Sequence, residues 1–129
     1  MNVSEYMGKD YKFPQCWELV ADVFTNEVTC EAYEHWKSLR PENGDRSVWF
    51  SRASVSRQVP FDILREDEPS ENYDVYYMID ATGSPHVGVW YEGSILHATL
   101  KAVLYEPEYS LDKAVKIMSR WRYAKYKNL

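Results

Sequence analysis

After Pro14 the apolar residues Cys16, Leu19, Val20, Val23 and Phe24 recur at helical spacing, and Trp17 adds to that face. The pattern predicts an amphipathic helix. Pro14 fits its first turn, where a missing N–H costs nothing. A second helix is predicted over "EAYEHWKSL", followed by a turn at "RPENGDRS", which is rich in Pro, Gly, Asn and Asp. The stretch "SVWFSRASVSRQVPFDIL" admits a short helix, a strand, or both.

The period then changes. "NYDVYYMID" reads as a strand and "ATGSP" as a turn, and "HVGVWY" and "SILHATL" form a hairpin around "EG". "KAVLYEP" reads as a further strand. "SLDKAVKIMSRWRYAKY" opens on a serine cap and reads as a helical turn or helix. Helices first and an antiparallel sheet after is the order of an α+β domain. The chain has 129 residues, which fits one domain, 1–129, with a core of its own.

Composition changes this picture in three ways. Aromatic residues make up 16%, including eleven Tyr and five Trp, more than a small core needs, so they point weakly to a groove or a partner. A net charge of −5 argues against a broad nucleic-acid-binding face, and the basic run "SRWRYAKYK" reads as a local solvated surface. The two cysteines, Cys16 and Cys30, make no disulfide framework and no CxxC zinc motif. The N-terminal "MNVSEYMGKDYKF" has no apolar core, so no secretory signal is expected, and nothing approaches a membrane-spanning run.

Three residues carry the candidate chemistry. Cys16 stands at the predicted helix start, where unpaired N–H groups and the helix dipole favour a thiolate. An ordinary buried cysteine is the competing reading. In the hairpin, a two-residue loop at Glu92 and Gly93 sets Tyr91 against Ser94, Val89 against Leu96, and Gly88 against His97. Alternation then puts His86, Gly88, Trp90 and His97 on one face. His86 and His97 become diagonal neighbours, about 7–8 Å apart at the backbone, with no side chain on Gly88 between them. A four-residue loop keeps this parity and a three-residue loop breaks it. Val87, Val89, Tyr91, Leu96 and Ala98 form the opposite, core-like face. Two adjacent imidazoles suit a relay in which one takes a thiol proton and the other fixes its orientation. A metal site is the rival, with Cys16 as the third ligand of a Cys-His-His set.

The pairing of "CWELVADVF" with "HVGVWYEGSILHA" resembles the NlpC family of papain-like cysteine peptidases, across most of the chain. The resemblance implies an α+β papain-like fold with strand character near Trp121, and with Cys16 as nucleophile, His86 as base and His97 as orienting residue. It implies no metal or organic cofactor. The expected substrate is a peptidoglycan stem peptide, often cut at a D-γ-glutamyl to diamino acid bond. With Trp17 after the cysteine, the chain is most similar to domains carried by phage tail proteins. That likeness implies action at the cell wall within a tail, with tail proteins as partners, while the lack of a signal points to synthesis in the cytoplasm, and the net charge and the lack of a spanning run point to neither nucleic-acid binding nor membrane insertion. Gln15 stands where the family usually has Asp, and Trp17 and Glu18 stand where small residues are common. A tyrosine upstream of the cysteine commonly helps form the oxyanion hole, and Tyr11 and then Tyr6 are the candidates here. Two alternatives of other kinds remain: a structural tail-tip or hub component with weak or no hydrolase activity, and an intracellular amidase or thioesterase.

Overall fold

The computed structural model describes residues 1–11, 15–28 and 61–123. Pro14, the predicted helix "EAYEHWKSL", Cys30, the turn after it and the ambiguous stretch up to Pro60 lie outside the described residues. Two helices, α1 (Val3–Met7) and α2 (Cys16–Val23), precede six strands, and α2 runs on into a wider π-helical turn, Phe24–Val28. The strands are β1 (Phe61–Ile63), β2 (Val75–Ile79), β3 (Pro85–Tyr91), β4 (Ser94–Ala98), β5 (Val103–Glu106) and β6 (Lys116–Tyr123). They form one sheet in the order β1-β6-β2-β3-β4-β5, antiparallel throughout. The protein is α+β, with a cysteine opening the helix that packs on the sheet.

Alternation along the strands divides the interior in two. Val75, Val87, Val89, Leu96, Ala98 and Trp121 point to one face and pack with Cys16, Leu19, Val20, Val23 and Phe24 of the α2 segment. Tyr76, Met78 and Ile95 point to the other face. There Leu111, Val115 and Ile117, from the β5–β6 connection and the start of β6, cover them in part. The predicted apolar spacing of α2 is therefore its buried stripe. No helix among the described residues is long and apolar enough to cross a membrane.

The segment after Ser110 departs from expectation. The residue pattern of "SLDKAVKIMSRWRYAKY" predicts a helical turn or helix and the family resemblance predicts strand near Trp121; Lys116–Tyr123 is a strand. Ser110 closes a short 3-10 turn instead of capping a helix, its N–H bonding to the Pro107 carbonyl. Asp112 then accepts from the Ala114 N–H and turns the chain into β6. The misleading pattern has a local cause. Tyr77 pairs with Ser119 while Met78 pairs with Ile117, so Met118 is an extra residue in a bulge. The bulge sends Ile117 to one face and Trp121 to the other, which destroys the simple alternation of a strand. Pairing on both sides, with β1 and β2, makes β6 central to its half of the sheet.

A buried ion pair ties β6 to the start of β2. The Arg122 guanidinium donates through Nε to Asp74 Oδ1 at 2.8 Å and through Nη2 to Oδ2 at 2.7 Å. Nη2 also donates to the Pro69 carbonyl at 3.1 Å. Asp74 is fully buried, and it also accepts from the Glu71 N–H. Removing one partner strands a charge, whereas removing both charges does not. Arg122→Leu is therefore expected to cost ~3–5 kcal/mol of stability. The double change Asp74→Asn, Arg122→Leu should cost less than Arg122→Leu alone. Urea denaturation of the wild type and the two variants checks this, and a double variant no more stable than Arg122→Leu would contradict it.

Candidate functional site

The β3–β4 hairpin sets the geometry. Glu92 and Gly93 both have positive φ, 47° and 93°, as a two-residue type I′ connection requires. Glu92 is the less comfortable of the two there. Asn72 holds it, accepting from the Glu92 N–H at 2.9 Å and donating to its carboxylate at 2.7 Å. The register follows as the sequence predicts: Tyr91 opposite Ser94, Val89 opposite Leu96, Gly88 opposite His97.

At the other end of β3 a compact turn fixes His86. Asp80 Oδ1 accepts from the Thr82 and Ser84 N–H groups and from the Thr82 hydroxyl. Burial would raise this carboxyl, but those bonds and the nearby His86 hold it below the usual carboxylate range. Pro85 starts the strand, where its missing N–H is tolerated.

Gly88 is the gap that lets the imidazoles meet. A Cβ there would lie 2.8 Å from Ile95 Cγ2 and 3.0 Å from both His97 Cβ and the Leu96 carbonyl oxygen. With no side chain in the way, His86 Nε2 and His97 Nδ1 stand 2.8 Å apart, in a buried hydrogen bond. The rings meet edge to face at 71°, with centroids 5.1 Å apart. Both residues are 5% exposed.

The chain of contacts continues to a residue that the sequence reading missed. His97 Nε2 lies 3.1 Å from Glu106 Oε2 on β5. Pairing of His97 with Leu104, and of Ile95 with Glu106, makes His97 and Glu106 diagonal neighbours. The four residues Thr99–Ala102 join β4 to β5, with Thr99 N–H bonded to the Ala102 carbonyl. The length of that loop fixes the β4–β5 parity and is the signal in the sequence that points to Glu106. One diagonal step from β3 to β4 and a second from β4 to β5 build the line His86–His97–Glu106.

All three line a cavity of about 520 Å³, together with Asp80, Leu104 and Leu111. Cys16 does not line it. The cysteine opens α2, is fully buried, and belongs to the core on the other sheet face. The structure thus joins two of the three predicted site residues in a hydrogen bond. It places the third at the predicted helix start, in the core where α2 packs against β3. The Tyr11 hydroxyl donates to Asp22, and the Tyr6 hydroxyl donates to Glu27 and accepts from Asn26. Asp22 is roughly 9 Å beyond Cys16 along the helix axis, and Glu27 is farther. Burial first, and then the neighbouring carboxylates, raise both phenols, so these groups remain protonated ties between the N-terminal segment and α2.

Among the described residues no three His, Cys, Asp or Glu side chains are grouped to hold a metal ion. A direct N–H···N bond uses the facing lone pair of one ring, which a metal shared by both would need. No protein-family model, curated protein or solved structure matches the chain.

Burial pushes His97 below the ordinary histidine value, and the bond to Glu106 and its charge oppose this only in part. The folded protein therefore keeps His97 neutral where the unfolded chain, titrating near 6.5, would take a proton. That contribution to stability is fully present above about pH 6.5 and is lost as pH falls toward the folded value. Urea midpoints at about pH 7.5 and about pH 5.5 should show the wild type less stable at the lower pH. The difference should shrink in His97→Gln. Wild-type stability that rises on acidification would contradict the assignment.

Proposed function

We propose that the protein is a cysteine hydrolase of the NlpC-like, papain-like type, acting on an amide bond. The observation that carries this reading is the buried His86–His97 bond, formed where the sequence pattern requires it. Cys16 at the start of α2 adds the nucleophile. This reading requires the Cys16 thiol, packed in the core on the other sheet face, to come within hydrogen-bond reach of His86; the thiol then gives its proton to His86, and sulfur bonds to the amide carbon. The C–N bond then breaks, and the leaving amine takes the proton from His86. Water next gives a proton to His86 and attacks the thioester, the C–S bond breaks, and the thiol is restored. The N–H groups of the first turn of α2 are the oxyanion donors, since both tyrosine hydroxyls are committed farther along the helix.

The substrate class in this proposal is a peptidoglycan stem peptide, and the setting is a phage tail acting at the cell wall. These rest on the resemblance of "CWELVADVF" and "HVGVWYEGSILHA" and on nothing in the geometry. A specific observation favours a second reading. Cys16 is 0% exposed, whereas a nucleophile must reach its substrate. A tail component that keeps the fold for assembly would carry its cysteine in that way.

Release of soluble peptides from purified peptidoglycan separates the two. The first reading expects release by the wild type and none by Cys16→Ala. Loss of the base in His86→Ala should lower turnover by about 10²–10⁴-fold. His97→Ala should lose less, and His97→Asn should recover part of that loss, because an amide oxygen still accepts an imidazole N–H. EDTA should change nothing. No release by the wild type favours the assembly reading, provided that a panel of simple amides and thioesters is also untouched. Loss of activity with EDTA would bring back the Cys-His-His metal site.

A further inference from the structure

The line of contacts ending at Glu106 has a direction. A carboxylate only accepts hydrogen bonds. At 3.1 Å from Glu106 Oε2, His97 Nε2 must therefore carry the hydrogen, because two facing lone pairs would repel. A neutral imidazole has one N–H, so His97 Nδ1 holds a lone pair. The 2.8 Å contact then requires the hydrogen to sit on His86 Nε2. His86, in its neutral form, is left with its lone pair on Nδ1.

We infer that Glu106 is a positioning residue: acting through His97, it sets both imidazoles as Nε2–H tautomers and so makes Nδ1 the proton-accepting atom of His86. The reverse arrangement shows what is at stake. If His97 carried its hydrogen on Nδ1, His86 would have to accept at Nε2 and hold its own hydrogen on Nδ1. It could then take no proton there. The contact with Glu106 is the one that selects between the two patterns, since the His–His bond alone is satisfied by either. When His86 is protonated it donates through Nε2 to a neutral acceptor, with a carboxylate at the end of the line. The importance of this for turnover rests on the hydrolase reading, but the tautomers do not.

Long-range ¹H–¹⁵N spectra of the imidazoles test the inference without reference to activity. In the wild type both rings should give the Nε2–H pattern. In Glu106→Leu, His97 should become a mixture of tautomers, and His86 should follow it. Glu106→Gln keeps an acceptor oxygen of nearly the same shape, so it should keep most of the Nε2–H pattern. A wild-type His97 with its hydrogen on Nδ1 overturns the inference, even if no variant folds. Unchanged tautomers in folded Glu106→Leu overturn it as well. Where turnover is measurable, Glu106→Leu should lower kcat by about 10–100-fold, as outer partners of oriented imidazoles do, with KM little changed and with partial rescue by Glu106→Gln. The predicted tautomers without any turnover would support Glu106's role toward His97 while removing the hydrolase reading.

Discussion

The close approach of two strands at Gly88 is the constraint on which the site depends. His97 can lean across β3 to His86 only because the residue opposite it has no Cβ. That approach needs the register, and the register needs the two-residue turn with positive φ at Glu92 and Gly93. A slip of one residue would turn every side chain of β4 to the other face. It would place His97 in the apolar core and Leu96 beside His86. The packing of Val87, Val89, Leu96 and Ala98 against α2 opposes such a slip. The helix layer thus helps to hold the histidines in register from the far side of the sheet.

The same sheet separates the parts of the proposed machinery. The imidazoles and Glu106 share a face with Tyr76, Met78 and Ile95, in a smaller, more open cluster. Cys16 sits in the dense core. Burial keeps His97 neutral, and a neutral, oriented pair is what a proton acceptor needs. Burial of Cys16 works the other way, since it restricts access by a substrate. Packing that is good for the fold is here in tension with the chemistry proposed for it.

Much of this was legible in the sequence, because periodicity reports on local geometry. The spacing from Cys16 to Phe24 became α2 with its π-helical extension, and the hairpin parity carried over residue by residue. What stayed hidden had particular causes. The bulge at Met118 shifts β6 by one residue, so its strand alternation is broken and the segment reads as helix. Glu106 stays hidden because its face depends on the length of the loop from Thr99 to Ala102, and a shift of one residue would turn it to the other side. The Tyr6 and Tyr11 hydroxyls bond to Glu27 and Asp22, 21 and 11 positions away in the chain, and no local pattern encodes such pairings. Which face covers Cys16 follows from how the helix docks, and no local pattern encodes docking.

The central claim is that Cys16 is a reactive thiol served by the histidine pair. Its most direct test is the rate at which iodoacetamide labels each cysteine at about pH 6–7, where a free thiol titrating near 8.5 is mostly protonated. Mass spectrometry resolves the two sites. The account predicts that Cys16 is labelled before Cys30 and that His86→Ala removes the advantage. Equal labelling, or Cys30 first, would mean that the sulfur at the start of α2 is a sealed core residue, and would contradict it.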